Sequence, residues 1–148
     1  MSRPLRIVLL DPHLKGGGQV RYLTNLAAEL VRRGHSVLIG CRKGSVLIDS
    51  AHSAACEVAP VFSFRGGLRP AAWLNDIGAL RRILRDFQPH ILHVNGSQDH
   101  WTAAVANSLE SRAACVVRSR HNTYKVSDGM ANRVLNRRHT DYQIVVCE

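Results

Sequence analysis

Three glycines in succession, Gly16, Gly17 and Gly18, lie between an apolar run that ends at Leu10 and a helical pattern that opens at Gln19. At a strand-to-helix junction such a run permits positive φ and leaves no Cβ in the way of a ligand. The first N–H groups of the following helix have no partner within it. With the positive end of the helix dipole they favour an anion, commonly a phosphate. A second set of chemistry-bearing residues is Asn95-Gly96-Ser97-Gln98-Asp99-His100, and a third runs from Arg118 to Lys125, with His121 between Arg120 and Asn122. A histidine there can donate to a sugar hydroxyl or phosphate oxygen, or move a proton near neutral pH; the competing reading is a plain surface-loop histidine. Asp99 beside His100 fits a base with its orienter. It fits equally a helix cap made by Ser97 or Asp99 ahead of a helix starting near Trp101.

Spacing excludes several chemistries. Gly16-Gly17-Gly18-Gln19-Val20-Arg21 lacks the last glycine of a dinucleotide fingerprint, and Cys41 and Arg42 stand where a ribose-binding carboxylate would close the second strand. Lys43-Gly44-Ser45 has neither the order nor the place of a phosphate-binding P-loop. No pair among the eight histidines has metal-ligand spacing, so no metal is expected. His90 and His93, three apart on a strand, point to opposite faces; His93 reads as a satisfied core histidine and His35 as a turn residue. Cys41, Cys56, Cys115 and Cys147 are scattered without a Cys-x-x-Cys, as buried reduced thiols are.

The elements that must hold these residues alternate. Strands are predicted at 6–10, 36–41, 56–60, 91–95, 115–118 and 142–147. Helices are predicted at 19–33, 45–55, 71–86, 101–110 and 130–138. Val20, Leu23, Ala27, Leu30 and Val31 form one stripe at helical spacing, as do Trp73, Ile77, Leu80 and Leu84. Gly34 is placed to end the first helix. The first strand is apolar on both faces, as a parallel sheet covered on both sides requires. The expected fold is a single α/β domain with a doubly wound, mostly parallel Rossmann-like sheet. Ligands of such sheets lie beyond the strands' carboxyl ends, and all three polar loops fall there. The glycine turn and His121 are thus expected to face one crevice.

The net charge of +9, from 20 basic and 11 acidic residues, implies anionic company: phosphorylated ligands, nucleic acid or an acidic membrane face. The arginine pairs at 32–33, 81–82 and 137–138 also fit helix ends complementing the dipole. A basic α/β module that binds nucleic acid or nucleotides without catalysis is the alternative reading. With aromatic residues at only 5%, it lacks a stacking platform. The apolar run after Arg3 and Arg6 stops at Asp11, too short for a signal peptide. A cytoplasmic protein is expected.

Four stretches then stand in order along nearly the whole chain: Ile7-Val8-Leu9-Leu10-Asp11-Pro12 with Gly16 to Arg21 and the later Arg32-Arg33-Gly34-His35-Ser36-Val37; Gln88 to Trp101; Val116 to Thr123; and Ile144 to Glu148. Together they resemble the N-terminal half of GT-B-fold glycosyltransferases, specifically the retaining group called family 4 (group 1), in the form found in bacterial enzymes of lipopolysaccharide and other envelope glycans. The resemblance implies a two-domain enzyme that moves a sugar from a nucleotide-diphospho-sugar to a glycan or lipid-linked acceptor without a metal. It implies that Gly17 and Gly18 approach the donor diphosphate, and that His121 sits at the reaction centre. It further implies that Asn95, Ser97, Arg120 and Asn122 face the acceptor. The family's second domain, with its paired glutamates and most of the nucleotide-sugar pocket, has no counterpart here. The 148-residue chain is expected to be a fragment missing its C-terminal domain in cis or to need a partner chain, to show no transferase turnover alone, and to meet acidic membrane at most peripherally.

Overall fold

The computed structural model of the chain describes residues 3–67, 69–121 and 129–145. Asn122, Thr123 and the closing Val146-Cys147-Glu148 lie outside the described residues. Strands β1 (Arg6–Asp11), β2 (Ser36–Arg42), β3 (Glu57–Phe62), β4 (Ile91–Val94), β5 (Cys115–Arg120) and β6 (Tyr142–Val145) alternate with helices α1 (Gly18–Arg32), α2 (Leu47–Ser53), α3 (Pro70–Asp86), α4 (Ser97–Leu109) and α5 (Met130–Arg138). The strands make one sheet in the order β3-β2-β1-β4-β5-β6, every neighbouring pair parallel. This is the doubly wound α/β architecture expected. The order reverses between β1 and β4, so the crevice outside their carboxyl ends is the natural ligand position.

Hydrophobic burial divides between the two faces. Ile7 and Leu9 of β1 meet Val20, Leu23 and Ala27 of α1 and Leu47 and Ala51 of α2. Val8 and Leu10 point the other way, against Ile77, Leu80 and Leu84 of α3 and Ala103 and Ala106 of α4. The strand alternation sends successive side chains to opposite faces, and both sets are buried, which is why β1 is apolar throughout from Ile7 to Leu10. At the end of α1, Gly34 takes φ 84°. Its N–H reaches Val31 O at 2.9 Å while the His35 N–H reaches Leu30 O at 3.1 Å. That pair of bonds is a Schellman closure, and the left-handed turn is the reason for glycine. The buried Cys41 and Cys56 and the half-buried Cys115 are free thiols; burial pushes Cys41 up to about 11.

Several boundaries differ from the sequence expectation. Helix α4 begins at Ser97, not near Trp101, so the run from Ser97 to His100 is the helix's first turn and not a loop. Strand β5 continues to Arg120 because Ser119 and Arg120 pair with Ile144 and Val145. Strand β3 runs through Pro60 to Phe62; it is an edge strand, where a missing N–H costs little. Of the stripe on α3, Ile77, Leu80 and Leu84 are buried, but Trp73 is 39% exposed and does not belong to the core.

Gly40 is the tightest approach in the sheet. A Cβ there would lie 2.5 Å from Leu10 Cδ2 and 2.8 Å from Phe62 Cε2. Gly40→Ala is therefore expected to destabilise the domain by about 1–3 kcal/mol, the cost of overpacking a filled core. Urea unfolding measures it, and an unchanged midpoint would show that the sheet yields at this point.

Candidate functional site

The rim formed by the carboxyl ends of β1, β4 and β5 carries a connected set of polar side chains. Asn95 follows β4 and is buried. Its Nδ2 donates to Leu10 O of β1 at 2.9 Å. Its Oδ1 is therefore left to accept from His121 Nε2 at 3.3 Å, just past β5. One amide thus joins all three strands across the switch point.

What fixes Asn95 is Asp99, at the third position of α4. Its carboxylate accepts from the Asn95 N–H at 2.8 Å and from the Gly96 N–H at 2.9 Å. These N–H groups precede the helix, so Asp99 caps from within the first turn. It does not pair with His100, as the base-and-orienter reading would have it. His100 is fully buried and turns to Thr140 Oγ1 at 2.8 Å. Because that hydroxyl donates to Leu135 O, the imidazole must donate from Nε2, leaving Nδ1 without a partner. Gly96 is tightly placed as well: a Cβ would lie 2.6 Å from Pro12 Cγ.

His121 packs on α1. Its ring lies 4.7 Å, centroid to centroid, from Tyr22 in an edge contact. The Tyr22 hydroxyl is 3.2 Å from Ser119 Oγ, which also bonds His93 Nε2 at 2.8 Å. His93 is thus a satisfied core histidine, as its strand position implied. Tyr22 stands four residues beyond Gly18, a rise of about 6 Å along the helix. The glycine turn and His121 therefore open on the same rim.

The glycines themselves depart from expectation. None of Gly16, Gly17 and Gly18 takes the left-handed backbone region; Gly17 is extended at φ 173°. A Cβ on any of them meets nothing within 4 Å. Neither backbone conformation nor the chain's own packing requires glycine here. The start of α1 has no side-chain cap and no acid in its first turn, and a helix's first N–H groups, which have no partner within it, carry the positive end of the dipole.

Sequence reasoning passed over Asp11 and His13. Asp11 ends β1 with no exposed surface. Its Oδ1 accepts from the His13 N–H at 2.7 Å and from His13 Nδ1 at 2.8 Å. Its Oδ2 is buried without a partner. The carboxylate accepts from Nδ1–H and so fixes the orientation of the His13 ring. An Asp-x-His spacing at a strand end was the available signal. Ser97 lies at the start of α4, beside a cavity between that helix and residues 64–67. Arg120 is half-buried at the end of β5. Asn122 lies outside the described residues. Among the described residues no cluster of ligand-type side chains could hold a metal ion.

Burial governs the charges. His121 is held below the usual histidine value by burial, opposed by nearby Asp11 and reinforced by His13. Burial pushes His93 down to about 4 and His100 to about 3. It pushes Asp99 up to about 6 despite the N–H groups it accepts.

A family model described as Glycosyltransferase Family 4 matches residues 16–148. The chain belongs to glycosyltransferase family 4. Solved structures agree in fold. A glycosyltransferase from Rickettsia africae superposes with a TM-score of 0.74 at 18% identity, over 90% of this chain and 34% of that one. MurG from Acinetobacter baumannii gives 0.73 at 14% identity, over 98% and 42%. HepE from Anabaena, solved with UDP and glucose, gives 0.69 at 19% identity, over 94% and 37%. The family 4 chain thus spans well under half the length of these proteins. A search among curated proteins finds no match. Among the described residues no helix is long and apolar enough to cross a membrane.

The buried histidines set a pH limit on this family 4 domain. His93 and His100 have folded values below the ordinary 6.5. Their contribution is therefore full above pH 6.5 and is lost as pH falls toward 4. Asp99, raised from 3.8 to about 6, works in the opposite sense: its contribution is present at low pH and lost as pH rises through 6. His100→Gln keeps a donor toward Thr140 and removes one titrating group. Relative to wild type, it should flatten the fall in unfolding free energy between about pH 4.5 and 6 by up to about 1.4 kcal/mol per pH unit. Urea midpoints across that range test it; parallel curves would mean that His100 protonates within the fold.

Proposed function

We propose that this chain is the acceptor-binding half of a retaining glycosyltransferase that takes a sugar from a nucleotide-diphospho-sugar. The observation that carries the reading is the convergence, in a family 4 chain, of an uncapped helix start and His121 on the rim where the strand order reverses. The N–H groups at Gly17 and Gly18 meet the donor diphosphate, and His121 stands at the reaction centre. Asn95, Ser97, Arg120 and Asn122 contact the acceptor, a glycan or lipid-linked molecule of the bacterial envelope. The charge that develops on the leaving diphosphate is met by backbone N–H groups and basic side chains, with no metal required. A second domain in cis supplies most of the nucleotide pocket. The net charge of +9 suits work at the acidic cytoplasmic membrane face. That HepE was solved with UDP and glucose supports a nucleotide-sugar partner for this fold.

Two substitutions in the intact enzyme separate ligand contact from fold. Gly18 is the first residue of α1 with open space around it, so Gly18→Ala should be neutral or stabilising by up to about 1 kcal/mol. If the turn receives the diphosphate, the same change should raise the KM for the nucleotide sugar. His121→Ala should lower kcat by roughly a hundredfold or more while the chain still unfolds cooperatively. Wild-type kinetics in both variants would remove this rim from the mechanism. Proton NMR of the product reads the anomeric configuration directly; an inverted linkage would contradict retention.

A further inference from the structure

Beside the rim, residues 64–67 and Arg69 line, with the first turns of α3 and α4, a cavity of about 520 Å³, within the range that binds small molecules. Three aromatic side chains, Phe64, Trp73 and Trp101, stand in its wall. Phe64 is buried and stacked on Phe62 with centroids 4.6 Å apart. Trp73 and Trp101, the only two tryptophans of the chain, both line it. Trp73 occupies a core position of the α3 stripe yet is 39% exposed, and Leu74, one turn on from Pro70, is 63% exposed. A partly exposed tryptophan in the wall of an apolar cavity is surface that an apolar ligand would cover.

The cavity also has a charge. Arg65 and Arg69 line it, both exposed, and neither has an ion-pair partner among the described residues. The one acid in the wall, Asp76, is buried and committed to the loop: it accepts from the Ser63 N–H at 2.7 Å, the Phe64 N–H at 2.8 Å and the Ser63 hydroxyl at 2.9 Å. Two unopposed guanidiniums beside an aromatic trough match a phosphate on a hydrocarbon chain. Ser97, at the edge of the cavity, is two residues from Asn95 and so connects it to the rim.

We propose that this cavity holds the hydrocarbon chain of a lipid phosphate, with its phosphate on Arg65 and Arg69, and that this lipid phosphate is the acceptor: one of its phosphate oxygens bonds to the anomeric carbon of the donor sugar as the bond from that carbon to the nucleotide diphosphate breaks and the nucleoside diphosphate leaves. The assignment rests on the transferase reading for its role as acceptor, but the binding itself does not.

Because both tryptophans line the cavity, their fluorescence reports its occupancy. The full chain is titrated with farnesyl phosphate below its critical micelle concentration. The expected result is a saturable blue shift in wild type, with affinity lower by about tenfold or more for Arg65→Ala/Arg69→Ala, the scale of losing charge-assisted bonds. Farnesol should bind correspondingly more weakly, and inorganic phosphate should leave the emission unchanged. The two arginines are exposed, so the variant is expected to keep the wild-type circular dichroism; if it does not, Arg65→Gln and Arg69→Gln singly replace it. An absent or unsaturable shift overturns the proposal, as does farnesol binding as tightly as its phosphate. Binding to anionic vesicles but not to monomeric farnesyl phosphate also overturns it, by making the membrane surface the occupant. The intact enzyme is assayed in parallel for transfer from a panel of nucleotide sugars. Transfer without lipid-phosphate binding sinks this cavity's role and leaves the transferase reading standing. Binding without any transfer sinks the acceptor assignment together with that reading.

Discussion

The amide of Asn95 is the interaction on which the site depends. In this sheet β1 and β4 diverge in their connections, and nothing in the backbone ladder spans the gap beyond their ends. Asn95 fills it, donating to Leu10 O and accepting from His121. An amide is suited to this because it offers a donor and an acceptor on one rigid plane. A buried amide with either end unmade would carry the desolvation cost without return. The Asp99 carboxylate fixes the backbone from which Asn95 projects, and glycine at 96 is needed because Pro12 comes too close for any side chain.

The electrostatics follow from that packing. Asp99, His93 and His100 lie behind the rim, where burial disfavours charge, and each is shifted toward its neutral form. In front, the start of α1 has no side-chain cap and no acid in its own first turn. The result is a rim whose supporting layer tends to neutrality while its mouth attracts anions, the arrangement that receives a diphosphate without a fixed countercharge. Asp11 and His13 add an oriented imidazole to that mouth, held by a carboxylate that makes no other bond through its Oδ2.

Much of this was legible in the chain itself. The apolar faces of β1, the stripe on α1 and the turn at Gly34 carry their periodicity openly, so the order of elements and the parallel sheet followed from pattern. The misreadings share a cause. Ser97 to His100 looked like a loop because polar residues there serve a cap and a buried bond to Thr140, and neither leaves a helical stripe. Trp73 looked like core because spacing does not distinguish a residue facing the sheet from one facing a cavity beside it. Strand β5 looked short because Ser119 and Arg120 are held by β6 pairing, which depends on residues more than twenty positions away. The glycine turn was located correctly, yet the reason first offered for its glycines, left-handed backbone, is not the one the structure shows. Asp11 and His13 were invisible as a pair because two residues in a loop declare no common direction until the strand end aims them.

The ring of His121 is the most direct witness to the rim. Since Asn95 Nδ2 is committed to Leu10, its Oδ1 can only accept, and His121 must carry its proton on Nε2. Long-range proton–nitrogen NMR correlation of the histidine rings at neutral pH reads this directly. The account requires a neutral, Nε2–H His121 in wild type whose tautomer preference is lost in Asn95→Ala. A His121 that is Nδ1–H, or an imidazolium at that pH, or one indifferent to the Asn95 change, would contradict it.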